Sequence, residues 1–218
     1  MKKLLLASLF AFASITAKAD LLKFTPGEME LSDVNLAKSA IVLDKAGKET
    51  TTQVDLLGAG VRNKVILINI PVYVAQLFSN NKAGYVRDGE NALGSLTTSA
   101  TTVVLKISML RDVDASTLAG SFSDALSAND LNVEEGELAD VLAIIENAAD
   151  ADQGTEIVML MQKNVDGSVT LSMQDSSNAI KSYTGSAKLM HDIMSIWLGT
   201  PADKGLNKLK SALLEPVY

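Results

Sequence analysis

Val65-Ile66-Leu67-Ile68-Asn69-Ile70-Pro71-Val72-Tyr73-Val74-Ala75 decides the fold. β-branched residues dominate it, so it reads as a strand. It is apolar on both parities, which implies cover on both faces. Pro71 has no N–H for a ladder, so a bend, an edge or a bulge is expected there. Just upstream stands Leu57-Gly58-Ala59-Gly60-Val61-Arg62. Its two glycines suit a bulge or a close backbone approach. Only part of a dinucleotide-binding fingerprint is present, because the third glycine position is Asn63 and no long helix follows. Further upstream, Ser39 to Asp44 and Thr50 to Leu56 flank Lys45-Ala46-Gly47-Lys48 and read as a hairpin. Residues 20–37 are mixed in character and read as irregular at first.

Downstream, Thr101 to Met109 reads as another strand. Asp112-Val113-Asp114 offers a cap for a helix over Ala115 to Ala128. Glu134 to Ala149 reads as a second helix, with Leu138, Val141, Leu142 and Ile145 at helical spacing and acids in its first turn. Glu156 to Lys163 and Ser168 to Gln174 flank Asn164-Val165-Asp166-Gly167, a hairpin whose Asp-Gly supports positive φ. Ala187 to Leu198 reads as a helix that stops at Gly199 and Pro201, and Ala202 to Leu214 as a last one. Strands, two helices, a hairpin and two helices are not the strict alternation of a parallel α/β fold. The order predicts an α+β protein, an antiparallel sheet with helices segregated to one face. No repeat, low-complexity tract or linker divides it, so residues 20–218 are expected to form one domain.

Residues 1–19 read as an export signal. Lys2 and Lys3 precede an apolar run from Leu4 to Ile15, and Ala17-Lys18-Ala19 supplies small residues for cleavage before Asp20. A run of about 12 residues is too short for the ~20 that a membrane-spanning helix needs. The expectation is a periplasmic protein with no integral membrane anchor. Removing Lys2, Lys3 and Lys18 takes the formal net charge from −7 toward −10. Such an acidic chain, lacking a basic stripe, is repelled by phosphate backbones, so nucleic-acid binding is not expected. The same charge disfavours strong attraction to anionic lipid surfaces. The chain has no Cys, so the core holds the fold without disulfides and thiol chemistry is excluded.

One His and no Cys cannot build a His- and Cys-rich zinc site. His191 reads as a helix-face residue, and neither a metal nor another cofactor is expected. No Ser stands in a nucleophile elbow. Among the three arginines, Arg87 and Arg111 lie in polar surroundings and read as solvated. Arg62 sits between a Gly-rich turn and the most apolar stretch of the chain. A guanidinium there needs an anionic partner. An ordinary Asp or Glu meets that need, and so does a ligand carboxylate or a developing enolate or phenolate oxygen. Met159, Met161, Met173, Met190 and Met194 suit a pliable ligand wall, although ordinary core filling is the better account of them.

Leu57 to Arg62, then Val72-Tyr73-Val74-Ala75-Gln76-Leu77-Phe78, then Ile196-Trp197-Leu198-Gly199 resemble the three signatures of the chalcone-isomerase-like superfamily. The N-terminal signal and the Ile-Trp-Leu-Gly ending are similar to its bacterial periplasmic branch. The resemblance runs from about residue 35 to the C-terminus. It implies an open-faced sandwich, a large antiparallel sheet covered on one face by helices, with a ligand between the two layers. In the plant isomerases the Arg of the first motif steadies the negative oxygen as a chalcone closes. In fatty-acid-binding relatives that Arg and a Tyr of the second motif hold a carboxylate, and Arg62 and Tyr73 match those positions. The isomerases have Thr where Tyr73 stands and another Thr where Ile196 stands. The Tyr and Asn of their mid-chain helix have no match in Ala115 to Ala128.

The resemblance therefore implies a binder of a small anionic amphipathic ligand, such as a fatty acid, rather than an isomerase. An intramolecular lyase or isomerase on an unknown substrate is the alternative, with Arg62 and Tyr73 as its catalytic pair. A structural or partner-binding protein with a self-filled pocket is a third. Oligomeric state is not legible. For Arg62 and Tyr73 to share a head group the chain must fold back near Leu67-Ile68, which lacks turn chemistry. Asn63-Lys64 is the better local turn, and it would leave the two residues far apart.

Overall fold

The computed structural model describes residues 20–65 and 68–217, so the export signal expected over residues 1–19 lies outside the described residues. Eight strands form one antiparallel sheet in sequential order. They are β1 (Leu22–Leu31), β2 (Val34–Leu43), β3 (Glu49–Val65), β4 (Asn69–Ser79), β5 (Thr102–Met109), β6 (Glu156–Lys163), β7 (Val169–Gln174) and β8 (Ile180–Gly185). Helix α1 (Ala92–Ser99) lies between β4 and β5, and α2 (Ala115–Ser127) and α3 (Glu137–Glu146) between β5 and β6. The C-terminal pair, α4 (Leu189–Leu198) and α5 (Lys204–Leu214), follows β8. This is the expected α+β open-faced sandwich, with the helices on one face. Among the described residues no helix is long and apolar enough to cross a membrane.

Period-2 alternation sorts the side chains of the central strands. Tyr73, Ala75 and Leu77 of β4, Val103, Leu105 and Ile107 of β5 and Ile157, Met159 and Met161 of β6 pack in the helix-side core. Val74, Phe78, Val104, Val158 and Leu160 pack in a second core on the opposite face. The first two strands supply that second cover. The Ala37 amide of β2 donates to Gln76 Oε1 of β4 (2.8 Å), and the Leu21 amide before β1 donates to Gln174 Oε1 of β7 (3.0 Å). The Phe24 ring of β1 lies 5.7 Å from that of Phe78. Lys106 of β5 sits 4.6 Å from the Phe24 ring centre and pairs with Glu156 (2.7 Å). The β1–β2 hairpin thus folds back across the sheet, and β4 is covered on both faces as its composition implied.

Three expectations are corrected. Residues 20–37 are not irregular: β1 and the start of β2 lie there, and the sheet's own curl gives them a partner surface. The stretch from Val65 to Ala75 is not one strand. β3 ends at Val65 and β4 starts at Asn69, with those two residues paired. Tertiary pairing overrides the weak local turn chemistry. The expected set of elements is also extended, by α1 and β8.

The glycines of β3 position α5. A Cβ on Gly58 would overlap the Leu213 backbone, and one on Gly60 would crowd Leu209 and Ala212. Bare backbone there lets α5 lie directly on β3. Arg87, expected to be solvated, ties the same pair of elements: it donates to Leu57 O (2.6 Å) and to Leu214 O (3.1 Å). Both carbonyls lack regular partners at a bulge and at a helix end, which is why a long cation is drawn down to them.

Candidate functional site

Arg62 and Tyr73 are direct partners across β3 and β4. Opposed residues of an antiparallel pair point to the same face, and here that is the helix face. The register slips next to them, because Asn63 pairs with Pro71 and Val72 is left over. This is the irregularity that Pro71 implied. Its effect is that Val72, Tyr73 and Ile70 all border one cavity of about 550 Å³ between β4, α2 and the first turn of α5. Val113 just before α2, Leu118 and Phe122 of α2, Ile196 of α4 and Leu206 of α5 complete its apolar lining. Lys64, Arg111, Asp112, Asp114 and Asp124 stand at its polar edge. A neighbouring depression of about 580 Å³ shares Arg62, Asp124, Asp203 and Leu206 and runs on past Ser127 and Ala202.

Tyr73 is only 4% exposed. Its hydroxyl oxygen accepts from Trp197 Nε1 (3.1 Å), and among the described residues nothing accepts the hydroxyl proton. Burial pushes the Tyr73 pKa up to about 12, against smaller lowering effects from the Trp197 hydrogen bond and the Arg62 charge. Tyr73 is thus a neutral, oriented donor at the cavity wall. Trp197 is in turn held edge-on by Phe122, with ring centres 5.2 Å apart.

Arg62 donates to Asn63 O and, at 2.5 Å, to Asp203 Oδ2. Asp203 is the N-cap of α5, where its other carboxylate oxygen accepts from the Leu206 amide (2.8 Å). A Cβ on Gly205 would overlap Arg62 and Asn63, so the first turn of α5 rests on the guanidinium.

The structure brings Arg62 and Tyr73 together as the resemblance required. Sequence reasoning missed Asp203, Lys64 and Asp124, and it read Arg111 as merely solvated, although Arg111 borders the cavity. Asp203 carried one local signal, an Asp directly before a helical run. None of the five methionines named above lines the cavity; all are packed in the helix-side core. His191 is on the outer side of α4, half exposed, with Nδ1 3.3 Å from Asp192. Among the described residues no group of three or more His, Cys, Asp or Glu side chains converges to hold a metal.

The fold is similar to that in the crystal structure of a fatty-acid-binding protein of Arabidopsis thaliana. The TM-score is 0.55 at 16% sequence identity, covering 80% of this chain and 96% of the plant protein. A search of curated proteins gives no match. The family model described as chalcone isomerase-like matches residues 29–215, nearly all of the sheet and helices described above, and on that match the chain belongs to the chalcone isomerase-like family.

Proposed function

We propose that this protein binds a small anionic amphipathic molecule, such as a fatty acid, without transforming it, and that it does so in the periplasm after removal of residues 1–19. The observation that carries the reading is the pairing of Arg62 with Tyr73 on one face, at the wall of a cavity of about 550 Å³ whose lining is part apolar and part charged. That volume lies within the range of roughly 300–1,000 Å³ common for small-molecule sites. A carboxylate placed there would accept from the guanidinium fork and from the unused Tyr73 proton, while its tail lay against Val72, Leu118 and Phe122. The Arabidopsis structure supports the reading by analogy of fold. The signal-like residues 1–19 and the Ile196-Trp197-Leu198-Gly199 ending support assignment to the periplasmic branch.

Binding fits the site better than isomerisation. With a pKa of about 12, Tyr73 is a poor proton shuttle near neutral pH. Ile196 places an alkyl group where the plant isomerases have a hydroxyl, and α2 offers the cavity the Thr117 and Ser121 hydroxyls and the Asp124 carboxylate in place of their Tyr and Asn. Catalysis of ring closure needs several donors aimed at the developing charge.

The test is native mass spectrometry and organic extraction of the mature protein, followed by calorimetric titration with dodecanoate. A co-purifying acid in stoichiometric amount is expected. Arg62→Ala should weaken dodecanoate by roughly 30-fold or more, the scale of a lost charge-assisted hydrogen bond. Tyr73→Phe should weaken it less. An unliganded wild type that ignores dodecanoate, with Arg62→Ala folded and indistinguishable, would overturn the reading.

A further inference from the structure

Two positive features converge beside the cavity. One is the Arg62 guanidinium, whose side chain is 14% exposed. The other is the N-terminus of α5, where unsatisfied amides and the helix dipole favour an anion. Close packing at Gly205 presses them together. Placing a cation against a helix N-terminus is unfavourable unless an anion sits between them. The anion present is the Asp203 carboxylate, with one oxygen 2.5 Å from Arg62 and the other 2.8 Å from the Leu206 amide. The anion site is therefore built and already filled by the protein's own side chain. Unlike the buried Tyr73, Asp203 is half exposed, at 49% of its side chain. It can swing away without opening the core.

We infer that Asp203 is an internal competitor for Arg62 and the residue that sets how strongly the cavity prefers an acid over a neutral amphiphile. This rests on the binding reading above. An incoming carboxylate gains Arg62 only by displacing Asp203 or by crowding a second negative charge against it. Asp124, which borders the same cavity, adds to that repulsion, while Lys64 and Arg111 at the rim offset part of it. A hydroxyl or ester head meets no such penalty. It uses the Tyr73 proton and leaves the ion pair intact. Asp203 thus holds down affinity for acids while leaving that for neutral chains of the same length.

The experiment compares wild type, Asp203→Asn, Arg62→Ala and the double variant, using sodium dodecanoate and 1-dodecanol as calorimetric probes. Asn keeps the cap of α5 almost as well as Asp, and equal thermal midpoints check that the fold is unchanged. Asp203→Asn is expected to bind dodecanoate at least about tenfold tighter and dodecanol within about threefold of wild type. The gain should vanish in the double variant, since removal of Arg62 leaves nothing to compete for. If wild type binds dodecanoate through Arg62 and Asp203→Asn binds it no tighter, the inference fails and the binding reading stands. If the two probes gain equally, Asp203 only obstructs the entrance and the inference also fails. If neither probe binds any of the four forms, the reading and the inference fall together.

Discussion

Tyr73 is the residue whose chemistry burial alters most clearly. Its pKa is raised from 10.0 to about 12, chiefly because the phenolate would lose its hydration. Below pH 10 the phenol is protonated in both the folded and unfolded chain, and its burial carries no pH-dependent cost. As pH rises from 10 toward 12 the unfolded chain loses the proton first, so stability falls across that window, by roughly 3 kcal/mol for a shift of this size. Urea denaturation between pH 9 and pH 12 should show this decline, and Tyr73→Phe should flatten part of it. The remainder belongs largely to Tyr85, which burial likewise pushes up to about 12. An unchanged slope in Tyr73→Phe would mean that solvent reaches the phenol. At this scale the sequence was half legible. Arg62 and Tyr73 stood in recognisable motifs, whereas Asp203 acts on a partner 141 positions away. No spacing rule links such residues; only the docking of α5 onto β3 does.

The element scale is governed by how closely α5 approaches β3. Gly58→Ala would drive a methyl into the backbone of the last turn of α5, which cannot yield as a flexible side chain can. The expected cost is about 2 kcal/mol, as for other overpacked sites, read as a lower urea midpoint at unchanged slope. A stability equal to wild type would show that the helix can lift freely. The cap of α2 is a second test. Asp114 accepts from the Thr117 amide (2.7 Å) and from the Ser116 and Thr117 hydroxyls, and these bonds hold its pKa down at about 2. Asp114→Ala should lower the urea midpoint at pH 7 through loss of the cap, and the difference from wild type should shrink as pH falls from about 4 through 2, where the native carboxyl takes up its proton. The long helices and the Asp-Gly hairpin were legible because their periodicity and caps are local. Helix α1 was not, because Leu96 is its chief apolar anchor amid Thr97, Thr98 and Ser99, and packing against α4 holds it in place. β8 escaped notice because it is an edge strand of alternating, mostly polar residues. β1 carries Pro26 and Gly27, and its pairing slips at Pro26, which blurs the strand pattern.

Taken whole, the molecule has two apolar layers separated by one sheet, and the cavity belongs to only one of them. Phe24 packs on Phe78 in the layer away from the helices, while Tyr73 and Phe122 belong to the other. Phe24→Ala should therefore destabilise by about 2 kcal/mol, less than the 3–5 kcal/mol of a fully buried ring. It should leave dodecanoate affinity within error of wild type. A large change in affinity would show that the sheet transmits strain between its faces. The overall class was legible from element order. The folding-back of the β1–β2 hairpin was not, because it depends on sheet curvature and on side chains such as Gln76 that take on a backbone group of another strand.

The hydrogen bond from Trp197 to Tyr73 has a further consequence. Trp197 is the chain's single tryptophan, 1% exposed, and its indole nitrogen donates to the hydroxyl of Tyr73, a residue of the cavity lining. The protein therefore carries its own optical reporter. Recruitment of the Tyr73 proton by a guest polarises that hydroxyl and alters the electric field at the indole, so occupancy is written into the colour and yield of one emission band, without an added label.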